Sequence, residues 1–210
     1  MIVKELWLQQ FEARLKAFCP LSRQQGLFSN QAAVALLLTR ATFEQESVLV
    51  LTRRAAHLRT HAGEIAFPGG MWEPGDSDLA ATALRESSEE VDIPVANVDL
   101  IATLPRSSTR RGTLVTPYVG WIDSLEGLKP NADELDRVFS VPLSYLQQDP
   151  RIRTDVFICN GRKRRIPVYQ YAGYTIWGFT AAVIVQLLNS GFDAMIDSEC
   201  SRSDEQIFSG

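Results

Sequence analysis

The sequence predicts a mixed α/β (α+β) fold in which a β-sheet is sandwiched between helices. Three observations point there. Short apolar runs with strand character outnumber the helical patterns. Two stretches, 77–91 and 177–189, carry helical apolar spacing and lie among those runs rather than apart from them. Asn160-Gly161 separates two such runs and is a strong hairpin signal.

Taken in order, residues 4–18 read as an amphipathic helix, with Trp7, Phe11, Leu15 and Phe18 on one stripe and Pro20 ending it. Residues 32–39 and 47–52 read as paired strands across a polar stretch, 40–46. A short strand over 64–67 closes at Pro68-Gly69-Gly70, which reads as a plain turn on its own. After the polar turn Glu73-Pro74-Gly75-Asp76 comes the helix 77–91. Asp76 or Ser77 can cap it, Asp78 falls in its first turn, and Leu79, Ala83 and Leu84 supply its apolar stripe. Residues 98–104, 113–122 and 137–141 read as later strands. Residues 155–159 and 163–171 flank the hairpin turn. The helix 177–189 follows, with Gly191 near its C-cap.

The chain has 210 residues, enough to bury a core without staples. The organisation expected is one domain, 1–192, including the N-terminal helix, followed by a loose polar tail, 193–210. Net charge is −4, which argues against a nucleic-acid partner. Cys19, Cys159 and Cys200 are odd in number and widely spaced, which indicates neither a disulfide framework nor a zinc site and fits a cytoplasmic setting. There is no signal-peptide pattern, and the longest apolar run, Ala32 to Leu38, falls far short of the ~18 residues that span a bilayer, so no membrane partner is expected. The oligomeric state is left open, a homodimer included.

The chemistry-bearing residues concentrate between Arg53 and Ile93. Glu86, Glu89 and Glu90 share one face of the helix 77–91 at spacings i, i+3, i+4. Like charges so placed destabilise a helix, the more so toward its C-terminal half. Three Glu on a helix are more often a solvated face. A cation among them would explain the arrangement, and carboxylate oxygens suit Mg²⁺ or Mn²⁺. Arg85 can pair with Glu89. Upstream, Gly69 and Gly70 let backbone approach a ligand closely. Arg53, Arg54, His57, Arg59 and His61 form a basic cluster just before them, suited to phosphate. A second cluster, Arg162-Lys163-Arg164-Arg165, reads as a solvated hairpin tip, with binding of a phosphate or of an acidic surface as the alternative.

Gly70, five residues, Asp76, eight residues, then Arg85-Glu86-x-x-Glu89-Glu90-x-x-Ile93 resembles the Nudix box. The chain departs from the usual pattern at Asp76 in place of Glu, in a spacer one residue longer, at Ser87 in place of an aliphatic residue and at Asp92 in place of glycine. Val50-Leu51-Thr52-Arg53-Arg54-Ala55, then Arg59, Gly63 and Phe67-Pro68-Gly69-Gly70, is similar to the signature of the coenzyme A pyrophosphatase branch of that family. The resemblance implies a Nudix-type mixed sheet between helices and metal-dependent cleavage of a pyrophosphate bond. It implies Glu86, Glu89 and Glu90 as metal ligands, with the Gly69 carbonyl and with Glu134 or Asp133 adding to the site. It implies Glu89 as base, oriented by Arg85, and Arg53, Arg54, Arg59 and Gly70 on the substrate side. The substrate implied is coenzyme A or a derivative, and the cofactor is Mg²⁺ or Mn²⁺. Rival expectations are a Nudix enzyme with another nucleotide substrate, an RNA-processing one, and a non-catalytic binding module.

Overall fold

The computed structural model describes residues 2–26, 28–40, 46–109, 111–159, 162–196 and 205–208. In chain order the elements are α1 (Ile2–Phe18), β1 (Gln31–Thr39), β2 (Val48–Arg54), β3 (Ile65–Ala66), β4 (Gly69–Met71), α2 (Leu79–Val91), β5 (Asp99–Thr103), β6 (Ser107–Ser108), β7 (Leu114–Ile122) and β8 (Leu135–Pro142). There follow α3 (Leu143–Gln147), β9 (Arg151–Cys159), β10 (Arg162–Tyr171), β11 (Tyr174–Ile176), α4 (Gly178–Phe192) and β12 (Glu205–Phe208).

Period-2 alternation in β1 and β2 builds two cores from one sheet. Ala33, Ala35, Leu37 and Val50 face α2 through Leu79, Ala80 and Ala83. Leu36, Leu38, Leu49 and Leu51 face the opposite way, into a core shared by Phe11 and Leu15 of α1 and Ile184 and Leu188 of α4. The sheet between the helices is therefore covered on both sides, as the apolar patterning predicts. It is mixed: β1 runs parallel to β7 and antiparallel to β2 and β4. A second, four-stranded sheet has the order β11-β10-β9-β12. No described helix is long and apolar enough to cross a membrane.

β1 and β2 pair as expected, at Leu38 and Leu49. Further along, β4 takes the place beside β1, with Val34 opposite Gly69 and Ala33 opposite Gly70, while β3 takes the place beside β2. This fork in the sheet brings the two glycines against the face that carries α2.

Several expectations are corrected. Phe18 is 69% exposed, and the neighbouring Cys19 takes the buried place instead. The stripe drifts because 3.6 residues per turn do not return to one line. Pro68-Gly69-Gly70 is not a plain turn, since Gly69 and Gly70 pair in a strand. Gly191 is not a cap: it lies inside α4, where a side chain would overlap the Phe11 ring, and Asp193 ends the helix in the left-handed region at φ 56°. Within the C-terminal stretch, residues 205–208 form β12, parallel to β9, whose open edge supplies the backbone partners. The Asn160-Gly161 turn lies outside the described residues, as do the side chains of Arg162, Lys163 and Arg164.

Candidate active site

The acidic helix begins one residue later than its expected caps. Asp78, not Asp76 or Ser77, is the N-cap, and its carboxylate accepts from the Ala81 N–H at 2.8 Å. Such a cap is worth about 1 kcal/mol. Leu79, Ala80, Ala83 and Val91 bury the helix against the sheet. Ser87 and Glu90 lie on that same buried side. The Ser87 hydroxyl donates to the Ala83 carbonyl at 2.7 Å, which lets a polar residue stand where an aliphatic one is usual.

Helical geometry thus separates the three acids. Glu90 is 3% exposed, Glu86 is half-buried, and Glu89 points outward. Glu90 accepts a hydrogen bond from the Gly69 N–H at 3.0 Å. Gly69 has φ +150°, and a Cβ there would overlap the Ala33 carbonyl and Val34. A Cβ on Gly70 would overlap the Glu86 carboxylate. Both glycines are needed for β4 to lie this close to α2 and β1.

Arg85 organises the outer side. Its Nε and Nη2 donate to the two oxygens of Asp76 at 3.0 and 3.2 Å, its Nη1 reaches Glu89 and Glu86 at 3.0 Å each, and Nη2 also donates to the Met71 carbonyl at 3.1 Å. Asp76 also accepts from Thr82 Oγ1 at 2.9 Å. Burial raises the Asp76 carboxyl, but hydrogen bonds from Arg85, the Glu73 backbone and Thr82 outweigh it and hold the group below its ordinary value. The sequence motif fixes no role for Asp76; the structure makes it the anchor of Arg85.

The inner side is electrostatically opposite. Burial, with Glu86 and Glu134 nearby, pushes the Glu90 carboxyl up to about 7, against the pull of the Gly69 N–H and Arg54. Burial also raises Glu86, more than Arg85 lowers it. Glu134, on the loop before β8, is near enough to raise both acids. Backbone bonds hold that loop in place. The Lys129 and Asn131 N–H groups donate to the Val91 and Glu90 carbonyls at 3.1 and 2.9 Å, and the Ala55 N–H donates to the Glu134 carbonyl at 2.8 Å. His57 Nε2 lies 3.1 Å from the Asp133 carbonyl, pinning the same segment from the basic loop. Sequence reasoning missed this tie; the only signal is that Asn131 follows Pro130 in a turn-forming stretch.

The basic cluster is divided. Arg54 stands beside Glu90, with its Nε buried and unpartnered among the described residues. Arg53 pairs with Asp136 at 3.5 Å, Arg59 stays exposed, and His61 bonds Glu64 at 2.7 Å.

Residues 29–160 match the family model of the NUDIX domain. The chain belongs to the Nudix family. It is also 36% identical over 187 residues to the uncharacterized Nudix hydrolase NudL of Salmonella typhimurium, covering 89% of this chain and 96% of that one. The Salmonella typhi protein of the same name matches equally. In fold it is similar to a MutT/nudix family protein from Enterococcus faecalis, with TM-score 0.53, 16% identity, and coverage of 90% of this chain and 73% of that one. The family model and the NudL relatives identify a Nudix hydrolase, and residues 70–93 within the matched region are the stretch that resembles the Nudix box.

Nudix hydrolases generally use divalent metal ions. Glu86 and Glu89 both contact Arg85, and among the described residues no three acidic or imidazole groups are gathered at metal-binding distances. The donor chemistry nonetheless fits a hard cation. Burial raises Glu90 and Glu86, nearby carboxylates (Glu86 and Glu134 for Glu90, Glu89 and Glu134 for Glu86) add to it, and Gly70 leaves space at the Glu86 carboxylate.

Proposed function

We propose that this Nudix hydrolase cleaves the pyrophosphate bond of coenzyme A or one of its derivatives, giving 4′-phosphopantetheine and adenosine 3′,5′-bisphosphate. The observation that carries the reading is the pairing of a buried acid pocket, Glu90 with Glu86, and an adjacent guanidinium, Arg54, that has a buried donor to spare. Excess anion suits a divalent cation, and the spare arginine donor suits a phosphate oxygen. The order Arg54, Arg59, Gly63, Phe67-Pro68-Gly69-Gly70 supports the coenzyme A branch over other Nudix substrates.

Glu86, Glu90 and Glu89, with the Gly69 carbonyl and Glu134, are the groups that would hold Mg²⁺ or Mn²⁺. When bound, such an ion supplies charge neutralisation at the phosphate oxygens and acidifies water. Glu89 takes the proton from the attacking water. Arg85 orients Glu89, and Asp76 fixes Arg85. Arg54 and Arg59 grip the phosphates, with Arg53 and the Gly70 backbone completing the substrate side.

Product analysis tests this. The protein is incubated with coenzyme A, ADP-ribose and a dinucleoside polyphosphate, each with Mg²⁺, Mn²⁺ or EDTA. The expected result is release of the two named products, fastest from coenzyme A and abolished by EDTA. Cleavage of another substrate alone would retain the acid site and remove the coenzyme A assignment.

A further inference from the structure

A cleft of about 450 Å³ opens between the loop that enters β3 and the β11–α4 junction. Arg53, Gly63, Glu64, Tyr174, Thr175 and Trp177 line it. Its volume is in the range of small-molecule sites.

The lining has a definite chemistry. Trp177 is 38% exposed and presents an indole at the cleft. It stands at the cap position of α4, and no side chain caps that helix, so the positive end of its dipole opens beside the indole. The Arg53 guanidinium is 41% exposed, and its pair with Asp136 is a surface contact of the kind worth little. Gly63 and Gly173 line the cleft with φ +72° and +84°, conformations that favour glycine, so neither position puts a side chain into it. Glu64, the acid in the lining, is engaged by His61 at 2.7 Å. An aromatic face, a guanidinium held by a surface ion pair and a hydroxyl together suit a flat ring that carries a phosphate.

One step along β2 separates the cleft's guanidinium from the one beside the acids. Arg53 lines the cleft, while the next residue, Arg54, stands beside Glu90. Successive strand residues point to opposite faces, and the pairing of β2 with β8 shifts register between these two, which re-aims them. On the other wall, Ile65 leads directly to Phe67-Pro68-Gly69.

We propose that this cleft seats the phosphorylated nucleoside end of the substrate, its base on Trp177 and its monoester phosphate on Arg53. This rests on the pyrophosphohydrolase reading above and adds a specificity site to it.

Two measurements test the assignment. Hydrolysis of coenzyme A and of 3′-dephospho-coenzyme A is compared in wild type, Arg53→Gln and Trp177→Leu. Binding of adenosine 3′,5′-bisphosphate is followed independently by calorimetry in the same proteins. The expected result is a fall of about tenfold in the kcat/KM ratio of the two substrates for Arg53→Gln. Bisphosphate binding is expected to weaken about tenfold or more in both variants. Unchanged discrimination and unchanged binding in both folded variants would overturn the cleft while leaving the hydrolase reading intact. Bisphosphate binding that depends on Arg53 and Trp177, in a protein that cleaves no pyrophosphate, would keep the cleft and remove the reaction. Absence of bisphosphate binding in wild type would overturn the cleft whatever the hydrolysis result.

Discussion

Asp76 meets Arg85 with both carboxylate oxygens, Nε to Oδ1 at 3.0 Å and Nη2 to Oδ2 at 3.2 Å. The same guanidinium reaches Glu89 and the Met71 carbonyl, so one acid from the loop before α2 aligns the helix with β4. Asp76→Asn weakens that alignment. We expect kcat to fall at least tenfold with KM little changed, and stability to drop by about 2 kcal/mol. The Asp76 pKa is depressed on folding, so its contribution is present above pH ~4 and lost as pH falls below that. Urea unfolding of both proteins at pH 7 and pH 3 would show a gap that narrows at the lower pH.

Glu90 behaves with the opposite sign. Its carboxyl rises from 4.5 to about 7 on folding, so the metal-free native state holds a proton that the unfolded chain releases. Its contribution to stability is full below pH ~4.5 and is lost as pH rises through about 7. Glu90→Gln should therefore be more stable than wild type at pH 8 in EDTA, by roughly 1–3 kcal/mol, and no more stable at pH 5. Thermal melts at the two pH values decide it. Activity in the variant should be lost at both.

The two glycines of β4 should fail differently. A methyl at Gly70 meets the Glu86 carboxylate, a side chain that can swing away. Gly70→Ala is expected to fold and to lose tenfold or more in kcat. A methyl at Gly69 meets the Ala33 carbonyl and Val34 backbone at a φ of +150°. Gly69→Ala should cost about 3 kcal/mol or more and lower the soluble yield. Equal melting temperatures for the two variants would contradict this division.

Asp92 ends α2 at φ 57°, where glycine is usual. Asp92→Gly relieves the left-handed strain and should raise stability by about 0.5–1 kcal/mol without changing activity, as read by urea denaturation.

Much of the fold was legible because its apolar spacing is regular. β1 and β2 follow from apolar runs, α1, α2 and α4 from helical spacing, and the paired arms β9 and β10 from the runs on either side of Asn160-Gly161. The first half of β9 was hidden by charge. Arg151 and Arg153 lie inside the strand, satisfied by Asp149 and Asp155 at 2.8 Å each, and such local pairs leave no hydrophobic trace. β6, β11 and α3 are too short for any period to register. In the candidate site, the motif identified the acids and glycines but not how they divide. Helical phase alone places Glu86, Glu89 and Glu90 on one face, yet the packing of Ser87 and Val91 turns Glu90 inward and Glu89 out. The Asp76 anchor and the backbone ties of residues 129–134 depend on loop conformation, which spacing does not encode.

Those ties carry a practical consequence. The carbonyls of Glu90 and Val91, which a helix end leaves open, are taken by the N–H groups of Asn131 and Lys129. Main-chain bonds of this sort are blind to side-chain exchange. Scaffold and chemistry can therefore be altered separately: acids of the pocket can be swapped for their amides with the surrounding frame retained. Glu86→Gln or Glu89→Gln is thus a natural choice for trapping an intact substrate in a crystal.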